Sequence, residues 1–345
     1  MRPAEFLDKY DKIIFDMDGV ITSEQNYWDI AALSAYELLN DKLYYGSGSV
    51  GADAQERRKE IRAELFADDR FITAVKDKGV NSNWDLCYLA FCYMVSGKFS
   101  GPAEMTEHVE KSSLLAFDLY AEAAEMTAET LHMNVSETGR GKRLWLLCRQ
   151  RFQEWYLGDK LFEDMYGEKS AGKGKPGLWQ TEIPIVPLSG LRKTLTALTA
   201  AGKTLGIATG RSRFEVTAPL RSWDCEKYFD LRSSVDYDFV VRGEKNLRDS
   251  GIEAQLTKPH PYMFLKAVYG TDYDDVKIYR GEYDSSEIKK TLVVGDAGSD
   301  ILAAKAMGAD FLAVLTGVSG EKGRAYFEET GAEYILPNVL GMVEE

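Results

Sequence analysis

The sequence predicts an α/β protein, a Rossmann-like, doubly wound parallel sheet that carries an inserted all-helical cap domain. The first observation is a short apolar run at residues 12–15 that ends in acidic residues, which is typical of a buried parallel strand. The second is that strand and helix patterns alternate from residue 183 onward, which is the order of β-α-β units. The stretch between shows only helical periodicity. We therefore predict an α/β core from residues 1–22 and 184–345, and a helical cap domain at 23–183.

Composition limits the class of protein. The chain has 345 residues, which suggests about two domains. Its formal net charge of -13 argues against nucleic acid as a partner, because a phosphate backbone requires a basic face. A membrane span of about 18 apolar residues is not found in the sequence, and the charged N-terminus does not resemble a signal peptide. We expect a cytoplasmic protein with reduced cysteines, and its oligomeric state does not follow from the sequence.

The first strand and the insert come first in the chain. Asp16 and Asp18 follow the apolar run directly, at the carboxyl end of the strand, where open α/β sheets place their ligands. An insert at this point is expected to cover the two acids as a lid. Helical periodicity in the insert is found at 24–40, 83–95, 105–133 and 141–165.

The insert ends in a stretch rich in glycine and lysine at 167–177. It has the Gly-x-x-x-x-Gly-Lys spacing of a nucleotide-binding loop. However, Gly174 stands where that loop needs Ser or Thr, and Pro176 interrupts the helix that should follow. We therefore predict a solvated linker here.

The second α/β part returns to alternating elements. Apolar spacing predicts helices at 188–202, 262–269 and 301–307, and apolar runs predict strands at 204–209, 290–295, 311–315 and 333–336. A further strand is placed at 238–241, within an otherwise irregular stretch.

Polar side chains follow several of these strands or lie in the loops after them. They are Asp16, Asp18, Thr209, Lys258, Asp296 and Asp300. Singly, each could be an ordinary turn, cap or surface residue. Together, a carboxylate pair, further carboxylates, a hydroxyl and a lysine are the groups needed to hold Mg²⁺ and a phosphoryl group.

Four segments in this order resemble the signature of the haloacid dehalogenase superfamily. They are Phe15-Asp16-Met17-Asp18-Gly19-Val20, Ala208-Thr209-Gly210-Arg211, Lys258-Pro259 and Val294-Gly295-Asp296-Ala297-Gly298-Ser299-Asp300. The resemblance spans the α/β part and does not extend in residue detail to the insert. A helical cap between the first two segments is usual in the family, although this one, at 23–183, is larger than the common small cap.

The resemblance implies a phosphotransfer mechanism. Asp16 would attack phosphorus and form an aspartyl-phosphate, while Asp18 would protonate the leaving oxygen and later accept a proton from water. The cofactor would be Mg²⁺, held by Asp16, the Asp18 backbone carbonyl and Asp296, with Asp300 supporting the metal ligands from outside.

The resemblance also implies a phosphate-binding set. Thr209 and the backbone amides near it, at Gly210, would bind the phosphoryl oxygens, and Lys258 would stabilise their charge and orient the nucleophile. For Arg211 two interpretations stay open, a contact with substrate or a place on the following helix.

Several reactions remain open within the superfamily. A second acid and a metal are unnecessary for a dehalogenase, and no lysine of the insert stands out as the Schiff base of a phosphonatase. A phosphosugar mutase uses the same acid pair. A regulatory phosphoacceptor is the alternative from another class, disfavoured by the large insert and by Asp18. We therefore expect a phosphatase acting on a small phosphorylated metabolite, a phosphate monoester.

Overall fold

The computed structural model describes residues 2–80 and 82–344. The chain forms two compact units, one from residues up to Ser23 and from Glu182 onward, the other from Glu24–Thr181. We call them the α/β unit and the helical unit. A parallel sheet with helices on both faces and an inserted set of helices confirms the predicted fold class.

The strands lie in the α/β unit. In chain order they are β1 Arg2–Pro3, β2 Lys12–Phe15, β3 Thr204–Ala208, β4 Phe229–Val235, β5 Thr291–Gly295, β6 Asp310–Val314, β7 Tyr334–Leu336 and β8 Val343–Glu344. Strands β2 to β7 form a parallel sheet in the order β4-β3-β2-β5-β6-β7, and β1 pairs antiparallel with β8. Phe15 of β2 lies opposite Ile207 of β3 and Val294 of β5. The residues that follow these three strands therefore emerge at one edge of the sheet.

The helical unit consists of helices joined by short loops. They are α1 Gln25–Asn40, α2 Arg58–Leu65, α3 Arg70–Asp77, α4 Asn83–Val95, α5 Pro102–Lys111, α6 Ala116–Leu131, α7 Val135–Thr138, α8 Arg143–Leu157 and α9 Asp159–Tyr166. Helix α4, which is apolar on nearly all sides, packs against α1, α6 and α8 and is largely buried, as its composition predicts.

The two longest predicted helices are each wrong in extent. The predicted helix at 105–133 is broken between α5 and α6, where Ser112 is extended and its hydroxyl accepts a hydrogen bond from the Leu114 amide at 3.1 Å. The predicted helix at 141–165 is broken at Gly158, whose φ of 84° lies outside the helical region. In both cases a short local feature interrupts a continuous apolar pattern.

The segment at 167–177 is a linker without regular secondary structure, as predicted, but the prediction that it is solvated is wrong for Lys173 and Lys175. The side chain of Lys175 is fully buried, and its ammonium group pairs with Glu37 at 2.7 Å and with Glu154 at 3.0 Å. Lys173 pairs with Asp41 at 2.6 Å. Lys173 and Lys175 instead neutralise carboxylates on α1, on α8 and at Asp41, which directly follows α1.

The helices of the α/β unit cover both faces of the sheet. They are α10 Leu188–Ala200, α11 Arg213–Ser222, α12 Tyr237–Asp249, α13 Tyr262–Tyr269, α14 Asp275–Tyr279, α15 Ser286–Lys289, α16 Gly298–Met307 and α17 Arg324–Thr330. Phe15 contributes to a core with Leu191 of α10, whereas Ile14 contributes to a second core with Phe264 of α13 and Ile301 of α16. Side chains that alternate along β2 thus point to opposite faces. None of the helices in the described part of the chain is long and apolar enough to cross a membrane.

The predicted strand at 238–241 is wrong, because these residues lie in α12. The Asp236 carboxylate caps this helix by accepting a hydrogen bond from the Asp238 amide at 3.1 Å. Phe239, Gly243 and Leu247 are buried along one face of the helix. The strand of this region is β4, which lies at the end of the sheet and is polar along much of its length.

Candidate active site

The candidate site begins where the central strand ends. Asp16 directly follows β2, and its backbone amide still donates to the Val294 carbonyl of β5 at 2.8 Å. The residue is 8% exposed. Because the ladder fixes the backbone up to this point, the Asp16 carboxylate has a defined position at the carboxyl edge of the sheet.

A lysine and a second acid contact this carboxylate. The Lys258 ammonium lies 2.6 Å from Asp16 Oδ1 and 2.8 Å from Asp300 Oδ1. The other oxygen of Asp300 accepts a weak hydrogen bond from the Ala297 amide at 3.3 Å, at the start of α16. The structure therefore brings together three predicted site residues that are far apart in the chain.

Burial and charge act in opposite directions on these groups. Burial raises the pKa of Asp16 to about 7, and the neighbouring carboxylates of Asp300 and Asp18 act in the same direction, whereas Lys258 opposes them. Burial alone would lower the pKa of Lys258, but the charges of Asp16 and Asp300 raise it above its ordinary value. A second cation near Asp16 would favour its ionised form further.

Asp296 approaches from the end of β5. One oxygen from each of Asp16, Asp296 and Asp300 lies within 4.8 Å of the others. The Asp296 carboxylate fits between two glycines: a Cβ atom at Gly19 or at Gly317 would each lie 2.1 Å from Asp296 Oδ2. Gly19 also has a φ of 72°, a conformation that side chains disfavour. Both positions thus require glycine if Asp296 is to reach the cluster.

This oxygen cluster fits a hard divalent cation. Three carboxylates that converge from the end of β2, the end of β5 and the first turn of α16 are the ligand type of Mg²⁺, and the glycine cradle leaves the Asp296 carboxylate close to the other two. Asp16, Asp296 and Asp300 are accordingly the side chains placed to hold such an ion. Asp300 joins this cluster while it also pairs with Lys258 at 2.8 Å, so its carboxylate contacts the lysine as well as facing the other two acids.

Thr209 and Gly210 occupy the loop after β3, next to β2. Thr209 is buried, and its amide donates to the Val235 carbonyl at 3.0 Å. Its hydroxyl oxygen accepts a weak hydrogen bond from the Arg211 amide at 3.3 Å. Gly210 is exposed. The loop therefore lies at the same edge of the sheet as Asp16.

Asp18 points to a different set of partners. Arg211 Nη2 lies 2.6 Å from Asp18 Oδ1, and the Thr22 hydroxyl donates to the same oxygen at 3.2 Å. Arg211 also pairs with Glu182 at 2.9 Å. Helix α11 begins only at Arg213, so Arg211 does not lie on the following helix. Its side chain is directed into the protein.

Several residues of the site were missed by sequence reasoning. Thr316 donates a hydrogen bond to the Gly19 carbonyl, and Gly317 forms part of the Asp296 cradle. A signal was present, since Thr316-Gly317 follows strand β6 as Thr209-Gly210 follows β3. Glu182, by contrast, stands in no recognisable pattern, and only the fold shows that it faces Arg211.

Comparison with known proteins finds a family model that matches a stretch of the chain containing part of this site. A family model described as HAD-hydrolase-like matches residues 255–341, which include Lys258, Asp296 and Asp300. An X-ray structure determined as a target of the Northeast Structural Genomics Consortium is 27% identical, with 95% of this chain and 96% of that chain covered and a TM-score of 0.78. Phosphatase Tt82 from Thermococcus thioreducens is 19% identical, with 87% and 90% covered and a TM-score of 0.46. Among curated proteins, none matches the sequence significantly.

Proposed function

We propose that this chain, which carries a haloacid dehalogenase-like hydrolase domain, is a Mg²⁺-dependent phosphatase that hydrolyses a small phosphate monoester through an aspartyl-phosphate. The observation that supports the proposal most strongly is the placement of Asp16. This carboxylate ends the central strand, lies 2.6 Å from the Lys258 ammonium, and has Asp296 and Asp300 oxygens within 4.8 Å. A nucleophile beside a fixed cation and further oxygen ligands suits attack on a phosphoryl group.

The reaction would proceed in two steps. In the first, Asp16 Oδ attacks phosphorus, the bond between phosphorus and the leaving oxygen breaks, and Asp18 gives a proton to that oxygen. In the second, water attacks the phosphorus of the aspartyl-phosphate, Asp18 takes a proton from the water, the bond between phosphorus and the Asp16 oxygen breaks, and inorganic phosphate leaves. The second step restores the Asp16 carboxylate and the Asp18 proton, so both residues end as they began.

The other residues bind and neutralise the phosphoryl group. Lys258 orients Asp16 and offsets negative charge, while Thr209 and the Gly210 amide would bind phosphoryl oxygens. A bound Mg²⁺, held by Asp16, Asp296 and Asp300, would supply electrostatic stabilisation of the transferred phosphoryl group. The matched family segment includes Lys258, Asp296 and Asp300, which supports this assignment.

The test is phosphate release from para-nitrophenyl phosphate and from a panel of phosphorylated metabolites, with Mg²⁺ and with EDTA. We expect Mg²⁺-dependent release that Asp16→Asn lowers by at least about 10³-fold, because the nucleophile is lost. Circular dichroism should show that the variant remains folded, since an amide replaces a carboxylate of nearly the same shape.

Three outcomes would contradict the proposal. Full activity of Asp16→Asn would exclude Asp16 as the nucleophile. An isomerised phosphosugar, released in place of inorganic phosphate, would indicate a mutase. A phosphorylated Asp16 that persists for hours without turnover would indicate a regulatory phosphoacceptor.

A further inference from the structure

We propose that Arg211, anchored by Glu182, is a positioning residue that fixes the Asp18 carboxylate and does not bind the substrate phosphate. The inference rests on the proposed function, in which Asp18 is the acid and base. The contacts of the Arg211 guanidinium group support this role over a contact with substrate or a place on the following helix.

The guanidinium group of Arg211 contacts both oxygens of the Asp18 carboxylate. Nη2 of Arg211 donates to Asp18 Oδ1 at 2.6 Å, and Nε lies 3.1 Å from Oδ1 and 3.2 Å from Oδ2. Two neighbouring nitrogens of one planar group therefore hold one carboxylate, which restricts its rotation. The Asp18 side chain is still 26% exposed, so it keeps a face open to a reacting molecule.

Every N–H donor of the Arg211 guanidinium group has an acceptor within the protein. Arg211 carries five N–H groups. Nε and one N–H of Nη2 are used by Asp18, and the second N–H of Nη2 donates to Thr22 Oγ1 at 3.0 Å. Nη1 donates to Glu182 Oε1 at 2.9 Å and to the Glu215 carbonyl at 3.1 Å. With every donor engaged and the side chain only 2% exposed, Arg211 is not available to a phosphate group.

Glu182, the residue that anchors Arg211, is itself buried and held in place by backbone hydrogen bonds of its segment. Glu182, like Arg211, has a side chain that is 2% exposed, and its charge is offset by the guanidinium. It begins the segment by which the chain returns to the α/β unit, and this segment pairs with the outgoing one: the Ser23 amide donates to the Ile183 carbonyl at 2.8 Å, and the Ile185 amide to the Ile21 carbonyl at 2.9 Å. Arg211 is thus held by a residue of two hydrogen-bonded segments, which is what a positioning role requires.

The experiment compares Arg211→Gln with wild type on a series of phosphate monoesters, from dinitrophenyl phosphate to an alkyl phosphate. A good leaving group departs without a proton, so it does not need a well-placed acid in the first step. We expect kcat/KM of Arg211→Gln to fall by roughly 10-fold or more for the alkyl phosphate and by less than about 3-fold for dinitrophenyl phosphate. In an Asp18→Asn background, Arg211→Gln should cause almost no further loss on any ester, because both changes remove the same function.

The controls separate positioning from folding. Arg213→Gln removes a nearby guanidinium that is 45% exposed and pairs with Asp236 at 2.5 Å, and it should leave kcat/KM unchanged. If Arg211→Gln does not fold, Arg211→Lys keeps the charge that Glu182 requires while losing the two-nitrogen contact, and Glu182→Gln removes the anchor alone. In both variants, kcat/KM should again fall more for the alkyl phosphate than for dinitrophenyl phosphate, but by a smaller factor than in Arg211→Gln.

An equal loss for all esters, or losses that multiply in the double variant, would overturn the inference. An equal loss expressed in KM would instead assign Arg211 to phosphate binding. A crystal structure of Arg211→Lys in which the Asp18 carboxylate keeps its position would overturn the inference without reference to activity. Failure of the proposed function is distinct, because it would appear as absent turnover in the wild-type protein.

Discussion

At the scale of single residues, Asp16, the proposed nucleophile, is subject to two opposing requirements. A nucleophile must be ionised, yet burial favours the protonated form and raises the pKa of Asp16 to about 7. Lys258, at a distance of 2.6 Å, lowers the pKa of Asp16, whereas the carboxylates of Asp300 and Asp18 raise it further. In the protein without metal, the ionised site is therefore a local source of instability.

This conflict predicts a pH dependence of stability. Between the ordinary pKa of 3.8 and a folded value of about 7, folded Asp16 holds a proton that the unfolded chain has released. The Asp16 contribution to the free energy of unfolding therefore falls as pH rises through this range. Asp16→Asn lacks the titration, so in EDTA its stability relative to wild type should increase from pH 4.5 to pH 8.

Urea unfolding of both proteins at the two pH values measures this difference. A relative stability of Asp16→Asn that stays constant would show that burial does not govern Asp16. A relative stability that decreases would show that the attraction of Lys258 outweighs burial.

How far single residues can be predicted depends on what fixes their positions. Asp16, Thr209 and Asp296 each follow an apolar strand, so the parallel arrangement of the strands suffices to bring them to one edge. The partners of Arg211 do not follow from this rule. Glu182 meets Arg211 because two segments that are distant in sequence pair side by side, and no local pattern encodes that pairing.

At the scale of elements, buried ion pairs join the end of the helical unit to its helices. Lys175 Nζ lies 2.7 Å from Glu37 of α1 and 3.0 Å from Glu154 of α8, and all three side chains are fully buried. The Trp155 indole donates to Glu37 Oε2 at 2.8 Å, and Arg151 pairs with Glu154 at 2.5 Å. The segment after α9 is thereby held by charges that no solvent screens.

Removal of the central cation should therefore destabilise the helical unit. Lys175→Met leaves Glu37 and Glu154 buried with less compensation, which we expect to cost about 3–5 kcal/mol in unfolding free energy. Lys169→Met is the matched control, because Lys169 is an exposed lysine of the same segment and its loss should change stability by less than about 0.5 kcal/mol. Thermal and urea unfolding compare the two. Equal stability of both variants would mean that the ion pairs only break even against an apolar side chain.

The same segment shows where element prediction from sequence fails. Glycine and lysine are typical of solvated linkers, and the sequence around Lys175 does not indicate that this lysine pairs with carboxylates on two other helices. The strand predicted at 238–241 was wrong for a related reason. A short apolar run is compatible with a strand or with a buried helix, and the Asp236 cap favours the helix. The buried strands β2 and β5 were predictable because they are apolar on both faces, whereas β4 at the sheet end is not.

At the scale of the whole molecule, the chain forms two compact units, and we expect a bound metal ion to stabilise only the unit that contains its ligands. The proposed ligands Asp16, Asp296 and Asp300 all belong to the α/β unit, so an ion bound there stabilises that unit by linkage. At 100 times the dissociation constant, the gain would be about 2.7 kcal/mol. The helical unit, which contains none of these three carboxylates, gains no stability directly from the ion.

Amide hydrogen exchange with and without Mg²⁺ tests this expectation. We expect added protection at 12–19 and 291–300, next to the proposed ligands, and no change within α4 of the helical unit. Asp296→Asn should abolish the gain, because its carboxylate is the ligand cradled by Gly19 and Gly317. Asp310→Asn should retain it, since Asp310 begins β6, at the opposite end of the sheet, where it pairs with Lys9 at 2.7 Å. If millimolar Mg²⁺ leaves amide protection of the wild-type protein unchanged, or increases it equally in Asp296→Asn, the three carboxylates do not form the metal site.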